Sequence, residues 1–534
     1  FYGLGLLTIS TFGFVVNANA LDVTKDFTLT EDVKDGIVVK AGSNVKINLA
    51  GFNVSNEKGD HTIKIEKGAT AVITGEGIVT NNTNQKAPVF NDGTVTIESG
   101  TYKRVDAKGN TFYVLLNHGK MTINGGKYAL ENGISSFGAL MVSTASRVGT
   151  GNIIGVSTAI CCGGPGAIFW MWITAFFGGA SAFVESTLAQ VYKKKNPDGS
   201  SYGGPAFYMQ DALKQRWLGV IFSVIIILTY AVGYNMLASY NLQSTFEVFD
   251  FYGPKTPALI GIILAVLFGI IVIGGAKRLT KVTGFLVPIM GIIYVLMSFV
   301  ILGINVTNVP SMFGSIFSNA FDFHAIFGGF AGSCIMYGIK RGLYSNEAGM
   351  GSAPNAAATA DVSHPVKQGL VQMLSVFIDT LLICTATAFM CLSTGVVPTE
   401  DIAGAAYVQE ALSTSVGSFG PVFIAVSMTL FAFTTLIGNY SYCEGCLKFI
   451  LNREVSKTGL IVFRIIATIL VFLGAVATAG LVWDTADMLQ GFMVVINIPV
   501  ILILIKPAMR CLSDYCKQRK EGKNPHFKAA DIGL

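Results

Sequence analysis

Residues 147–178 read RVGTGNIIGVSTAICCGGPGAIFWMWITAFFG, and their pattern decides what kind of chain this is. A Gly-Thr-Gly-Asn stretch, Gly149 to Asn152, interrupts one apolar segment. Gly163-Gly164-Pro165-Gly166 then turns the chain into a second apolar segment carrying Phe169, Trp170, Met171 and Trp172. Glycine and proline at such positions stop one helix and start another. At bilayer depth a loosened backbone is tolerated only where it lines a cavity or binds something, because no water is present to satisfy its polar groups. The alternative is a kinked structural helix, and the surrounding chain argues against it.

Over 534 residues the mean hydropathy is +0.57, with 51% hydrophobic and 13% charged residues. Soluble domains carry about 25% charged residues. The chain therefore reads as a polytopic membrane protein with something attached. Its basic residues sit in short clusters between apolar runs, which excludes a nucleic-acid-binding face. All nine cysteines lie at or after Cys161, most of them inside apolar runs, so no disulfide framework is expected. Cys443 and Cys446 have redox or zinc spacing but no second Cys or His pair nearby.

Residues 21–133 differ from the rest. GSNVKINLAGFNV begins at Gly42, GATAVITGEGIV at Gly68, GTVTIESGTY at Gly93 and GKMTINGGKY at Gly119, spaced 26, 25 and 26 residues apart. A fixed period with β-formers between turn glycines predicts a β-solenoid, in which each rung buries its apolar side against the next. The segment resembles parallel β-helix domains of bacterial surface proteins, and is read as a structural or adhesive module. Phe1 to Val16 is apolar and precedes Asn17-Ala18-Asn19-Ala20, so residues 1–20 read as a signal-peptide-like segment.

From about Ile134 the chain is a series of apolar runs, read as ten helices at 136–160, 165–191, 217–247, 257–275, 282–305, 323–341, 365–394, 418–441, 458–480 and 484–505. Basic clusters mark alternate connections: Lys193 to Lys195, Lys277 with Arg278 and Lys281, Lys340 and Arg341 with Lys367, Lys448 with Arg453 and Lys457, and the tail from Lys506. The positive-inside rule then places the tail, residues 508–534, and the start of the first core helix in the cytoplasm. Ten helices divide into two sets of five. The first opens with the Gly149–Asn152 break, the second near Ile326-Phe327-Gly328-Gly329-Phe330-Ala331-Gly332. Paired breaks in corresponding helices point to an inverted-repeat transporter with a midplane site. Freed N–H groups at a half-helix N-terminus favour a carboxylate, and freed carbonyls a cation. A zwitterionic amino acid with sodium matches both.

GGPGAIFWMWITAFFG, GLYSNEAGMGSAPNAAA (Gly342 to Ala358), HPVKQG (His364 to Gly369) and FIDT (Phe377 to Thr380) occur in that order. Together they resemble the alanine/glycine:cation symporter family over 134–507. The resemblance implies a 5+5 inverted repeat like that of leucine transporters, and sodium-coupled import of alanine, glycine or a similar small amino acid across a bacterial plasma membrane. No cofactor is implied beyond sodium as coupling ion; proton coupling is the alternative. By the same resemblance, Gly149, Thr150, Gly151, Asn152 and Val156 line the substrate site. Phe327, Gly328, Gly329 and Phe330 supply the facing break, and Asn439 is a further candidate. Ala145 and Val148 carbonyls, Asn152, and Thr434 and Thr435 hydroxyls form a sodium site. From the residues alone, back-bonding within the helix accounts for both threonines equally well.

Arg147, Glu185 and Asp379 fall inside spans, where ionisable groups are functional by default. None sits at an expected break, so a structural pair or vestibule is the favoured reading. Asn346-Glu347 reads as a gate or packing loop, and Gly151-x-x-x-Gly155 as a helix-contact motif. Repeated filter loops of a channel and the H-E-x-x-H or nucleophile–base pairs of an intramembrane enzyme are absent from the sequence. One tension remains between the halves. A signal peptide would export the β-rungs, yet the first core helix must begin in the cytoplasm. The family pattern has a further hydrophobic helix where the rungs stand. The chain is therefore expected to join two unrelated reading frames, the alternative being an uncleaved anchor that keeps the rungs inside.

Overall fold

The computed structural model describes residues 20–56, 59–83, 86–105, 113–131, 134–196, 200–322, 329, 333–453 and 455–533. The apolar segment before Ala20 and most of the expected Ile326–Gly332 break lie outside them. The chain divides into two compact units, Phe1–Asn132 with Pro197–Ser200, and Gly133–Asn196 with Ser201–Leu534.

The first unit is a parallel β-solenoid with three sheets. Strands Ile37–Val39, Ile63–Ile65, Val89–Asn91 and Leu115–Asn117 stack in one sheet, and Asn44–Asn48, Thr70–Thr74, Thr94–Ile97 and Lys120–Ile123 in a second. Ile78–Asn81, Thr101–Val105 and Lys127–Glu131 form the third. Three rungs carry all three sheets. Alternate side chains point inward, so Ile37, Ile63 and Val89 stack beside Val39 and Ile65, all fully buried. The repeat glycines have a steric cause. A Cβ on Gly93 would strike the carbonyl oxygens of Ala69 and Glu66, and one on Gly119 would strike that of Gly93. Each turn thus lies directly on the turn below.

The second unit is helical. Among the described residues, eight helices are long and apolar enough to cross a membrane: Ala167–Val191, Arg216–Ser244, Thr256–Ile273, Arg278–Ile304, Pro365–Leu392, Phe419–Leu451, Lys457–Ala475 and Ala479–Ile503. They correspond to eight of the ten expected spans. The first span is broken as expected. Helix Ser136–Arg147, whose N-cap Ser135 accepts from the Gly138 amide, is followed by a π-helical turn, Gly151–Gly155, and helix Val156–Gly163.

The sixth span is displaced from its expected position. It is two half-helices, Cys334–Asn346 and Ala353–Thr359, separated by a turn in which Glu347, Gly349 and Gly351 all have positive φ. Each half is too short and polar for a hydropathy window, whereas 323–341 is a single apolar run. Sequence reading also missed the helices Val309–Ala320, Ala405–Val416 and Ile505–Lys520. The displacement reassigns Lys340 and Arg341. Neither lies in a loop: both bind Asp487 of the last span, at 2.7 and 3.0 Å, and Arg341 stacks over the Trp483 ring at 4.2 Å.

Two ends of the bundle differ chemically. At one, Lys367 and His364 hold the tail through Asn524 and Asp514. Glu247 and Asp401 line a cavity at the other.

Replacing Gly93 with Ala should loosen the solenoid by about 1–3 kcal/mol, the usual cost of overpacking. Hydrogen exchange in Thr70–Thr74 and Thr94–Ile97 should accelerate; unchanged protection would contradict the stacking.

Candidate functional site

The first break is built around one side chain. Val148 leaves the helix (ψ 87°), and the Gly149 N–H donates to Asn152 Oδ1 at 2.7 Å instead of to the carbonyl four residues back. The Asn152 N–H turns to Gly149 O at 3.2 Å. Ala145 and Val148 carbonyls are thereby released from their α-helical donors, which a regular helix would supply from Gly149 and Asn152. Asn152 Nδ2 donates to Asp379 Oδ1 at 2.7 Å, and Thr387 Oγ1 donates to Asn152 O, also at 2.7 Å.

Thr435, on the Phe419–Leu451 helix, meets this break. Its Oγ1 is buried and has no hydrogen-bond partner among the described residues, and a Cβ on Gly149 would fall on it. The same helix comes close enough at Gly438 that a Cβ there would strike Ser146 and Ala145 backbone. Thr434 behaves differently: its hydroxyl donates back to Leu430 O and Phe431 O at 3.0 and 3.1 Å.

On the facing side, the Tyr344 ring lies against Gly151 and Gly155, where Cβ atoms would stand 3.0 and 3.4 Å from it. The glycine pair thus makes room for a ring, and at Gly151 also for the helix backbone at Ser345. Tyr344 Oη is 3.1 Å from Thr150 Oγ1, which also accepts from Asn241 Nδ2 at 3.3 Å. Asn241 lines the acidic-end cavity, about 400 Å³, together with Ile154, Thr158 and Trp483. The cavity therefore reaches within one hydrogen bond of the break. Val156 is fully buried in the apolar core.

Among the described residues, the interruption that faces the first break is Glu347–Ser352. Phe327, Gly328 and Phe330 lie outside the described residues, and Gly329 is exposed with open space where a Cβ would be. The glycine-rich apolar run drew attention there. Asn346-Glu347, Gly349, Gly351 and the first-turn Pro354 carry the actual signature of a helix that stops and restarts. Ser146 Oγ lies 2.5 Å from Glu347 Oε1 and 2.6 Å from Asn439 Oδ1. Ser352 donates to Glu347 Oε2 at 2.9 Å, and Asn439 Nδ2 donates to Asn235 Oδ1 at 3.0 Å. Asn439 thus joins the network around Glu347.

The buried charges stand closer to the break than expected. Arg147 ends the first half-helix, gives Nη1 to Gln372 Oε1 at 3.2 Å, and acts electrostatically on Glu185, Glu347 and Asp379. Among the described residues none of these acids lies within ion-pair distance of it. Asp379 sits in a second π-helical turn, Ile378–Cys384, and accepts from Ser345 Oγ at 2.8 Å. Such turns mark functional sites because they tilt side chains and backbone groups out of the regular ladder. No group of three metal-binding His, Cys, Asp or Glu occurs among the described residues.

Gly149→Ala should lower the thermal unfolding midpoint through collision with Thr435, and Thr435→Ala should make the substitution less costly. A double-mutant cycle reads this coupling. Strictly additive losses would show that the two residues do not touch.

The sequence model of the sodium:alanine symporter family matches residues 86–529, so its span begins within the solenoid. The probable sodium/glutamine symporter GlnT of Bacillus subtilis is 46% identical over 397 residues, covering 74% of this chain and 82% of that protein. The amino-acid carrier protein AlsT of the same organism is 46% identical over 403 residues, covering 75% and 84%. Among solved structures, MhsT in complex with L-phenylalanine aligns with a TM-score of 0.48 at 14% identity, over 74% of this chain and 91% of that one. With nearly half the residues shared over most of each relative, and the family match covering the whole helical unit apart from its last residues, the chain belongs to the sodium:alanine symporter family.

Proposed function

We propose that this protein imports alanine or another small amino acid together with sodium by alternating access. The observation that carries the reading is that Ala145 and Val148 carbonyls are released at the Asn152-capped break, and that beside Gly149 stands the Thr435 hydroxyl, which has no partner among the described residues. Oxygen ligands without competing donors suit a hard monovalent cation. Thr435 is the better placed of the two threonines, since Thr434 would first have to leave its own helix carbonyls.

The substrate lies between opposed helix ends. The π-turn beginning at Gly151 presents amides, its Thr150 and Gly151 N–H groups preceding any intrahelical acceptor. A Cβ on Gly151 would stand only 3.4 Å from Ser345 Cα. The carboxyl end of Cys334–Asn346 is therefore alongside, and its last carbonyls suit an ammonium group. Carboxylate and ammonium of one zwitterion can be held together there. The Tyr344 ring packed against Gly151 and Gly155 would exclude a bulky side chain. The family names and the relatives' names support this choice of cargo and ion. Lys-rich loops and the basic tail support a cytoplasmic tail, and with it an Asn241 cavity that opens outward.

Binding of ion and amino acid at one break makes their coupling reciprocal, each raising the other's affinity by the same factor. In proteoliposomes, an inward sodium gradient should drive uptake of labelled alanine. Thr435→Ala should raise the sodium concentration for half-maximal uptake about tenfold, equivalent to losing ~1.4 kcal/mol. Asn152→Ala should abolish uptake at normal membrane abundance. Uptake indifferent to sodium would defeat the coupling, and an unchanged sodium requirement in Thr435→Ala would defeat the site.

A further inference from the structure

At the basic end of the helical unit lies a second cavity of about 350 Å³. Among the described residues its lining includes the cations Lys194, Lys195, Arg216, Lys448 and Arg453 and no carboxylate. Asp211 pairs with Lys194 at 2.7 Å, so among the described residues cations outnumber carboxylates around the cavity. Two of the cations are fixed in place. Arg216 donates to Gln210 Oε1 at 2.6 Å and Phe449 O at 2.9 Å, with its guanidinium 4.9 Å from the Phe449 ring centre. Lys448 donates to Asn196 Oδ1 at 3.3 Å, its ammonium 5.0 Å from the Tyr202 ring centre. Like charges gathered around one hollow repel each other, and an anion with several oxygens relieves that repulsion.

The position of the cavity selects among anions. Arg216 opens one membrane span, and Lys448 lies in the last turn of another, Phe419–Leu451. The hollow therefore sits at headgroup depth. Trp217, beside it, is exposed, as aromatic residues at a membrane interface are. Ile221, Val224 and Leu228 continue from Trp217 along one exposed helix stripe into the bilayer. A phosphate in the cavity and acyl chains on that stripe belong to one molecule. We infer that this cavity is a binding site for the phosphodiester headgroup of an anionic phospholipid. Nothing in the inference depends on which amino acid or ion is transported.

Native mass spectrometry of the full chain in detergent, titrated with phosphatidylglycerol or phosphatidylcholine, tests this. Phosphatidylglycerol should be retained preferentially. The double variant Arg216→Gln/Lys448→Gln should bind it ~30-fold more weakly, from two lost charges at about fivefold each. Lys448→Arg, which keeps the charge, should bind as the unmodified chain does, separating charge from folding. Equal retention of the two lipids, or undiminished binding by the double variant, would overturn the proposal. Displacement of phosphatidylglycerol by millimolar inorganic phosphate would reassign the cavity to a soluble anion and overturn the lipid assignment.

Discussion

The helical unit depends on the Asn152 side chain. A helix broken in a membrane leaves backbone donors and acceptors that water cannot reach, and each buried group left unsatisfied costs about 1–3 kcal/mol. Asn152 Oδ1 takes the Gly149 N–H, so the donor is satisfied while the carbonyls opposite are not refilled. Nδ2 of the same amide reaches Asp379, tying the break to the seventh span. An asparagine does both because it carries one acceptor and two donors on a short stem. Leucine there would favour an unbroken helix, and aspartate would set a second carboxylate against Asp379.

Around that cap, small residues decide what can come near. Gly149 makes room for Thr435, Gly151 and Gly155 for Tyr344, and Gly438 for the Ala145–Ser146 backbone. Two helices, Phe419–Leu451 and Cys334–Asn346, therefore pack closely on one short segment. The neighbouring polar side chains are linked rather than scattered: Ser146, Glu347, Ser352 and Asn439 form one network, and Asn152, Asp379 and Ser345 another. Elements joined through half-helices and π-turns have fewer regular backbone bonds to lose when they tilt. That suits a protein whose work requires its spans to move against one another.

Much of this was legible beforehand, and the gaps have physical causes. Solenoid rungs announced themselves because stacked turns demand glycine at a fixed interval. Long spans did so because lipid demands length and apolarity. The first break was visible because Gly149, Gly151 and Asn152 interrupt an otherwise apolar run. Its partner at Glu347–Ser352 was overlooked because half-helices of 13 and 7 residues, rich in Ser, Asn and Ala, fall below what hydropathy detects. The same displacement made Arg341, a buried partner of Asp487, read as a charge flanking a connection at the end of a span. Asp379 and Tyr344 could not be placed at the site, since π-turns and cross-helix contacts leave no local mark in sequence.

The central claim is that the Gly149–Asn152 break and Thr435 form a cation site whose ligands are backbone carbonyls set free by one asparagine. Hydrogen exchange of the purified full chain, compared in sodium and in potassium at equal ionic strength, reads it directly. Sodium should slow exchange in peptides covering residues 144–156 and 430–440 of the unmodified protein, and should have no such effect in Asn152→Ala. Identical exchange in the two salts, or full protection by sodium in that variant, would contradict the account.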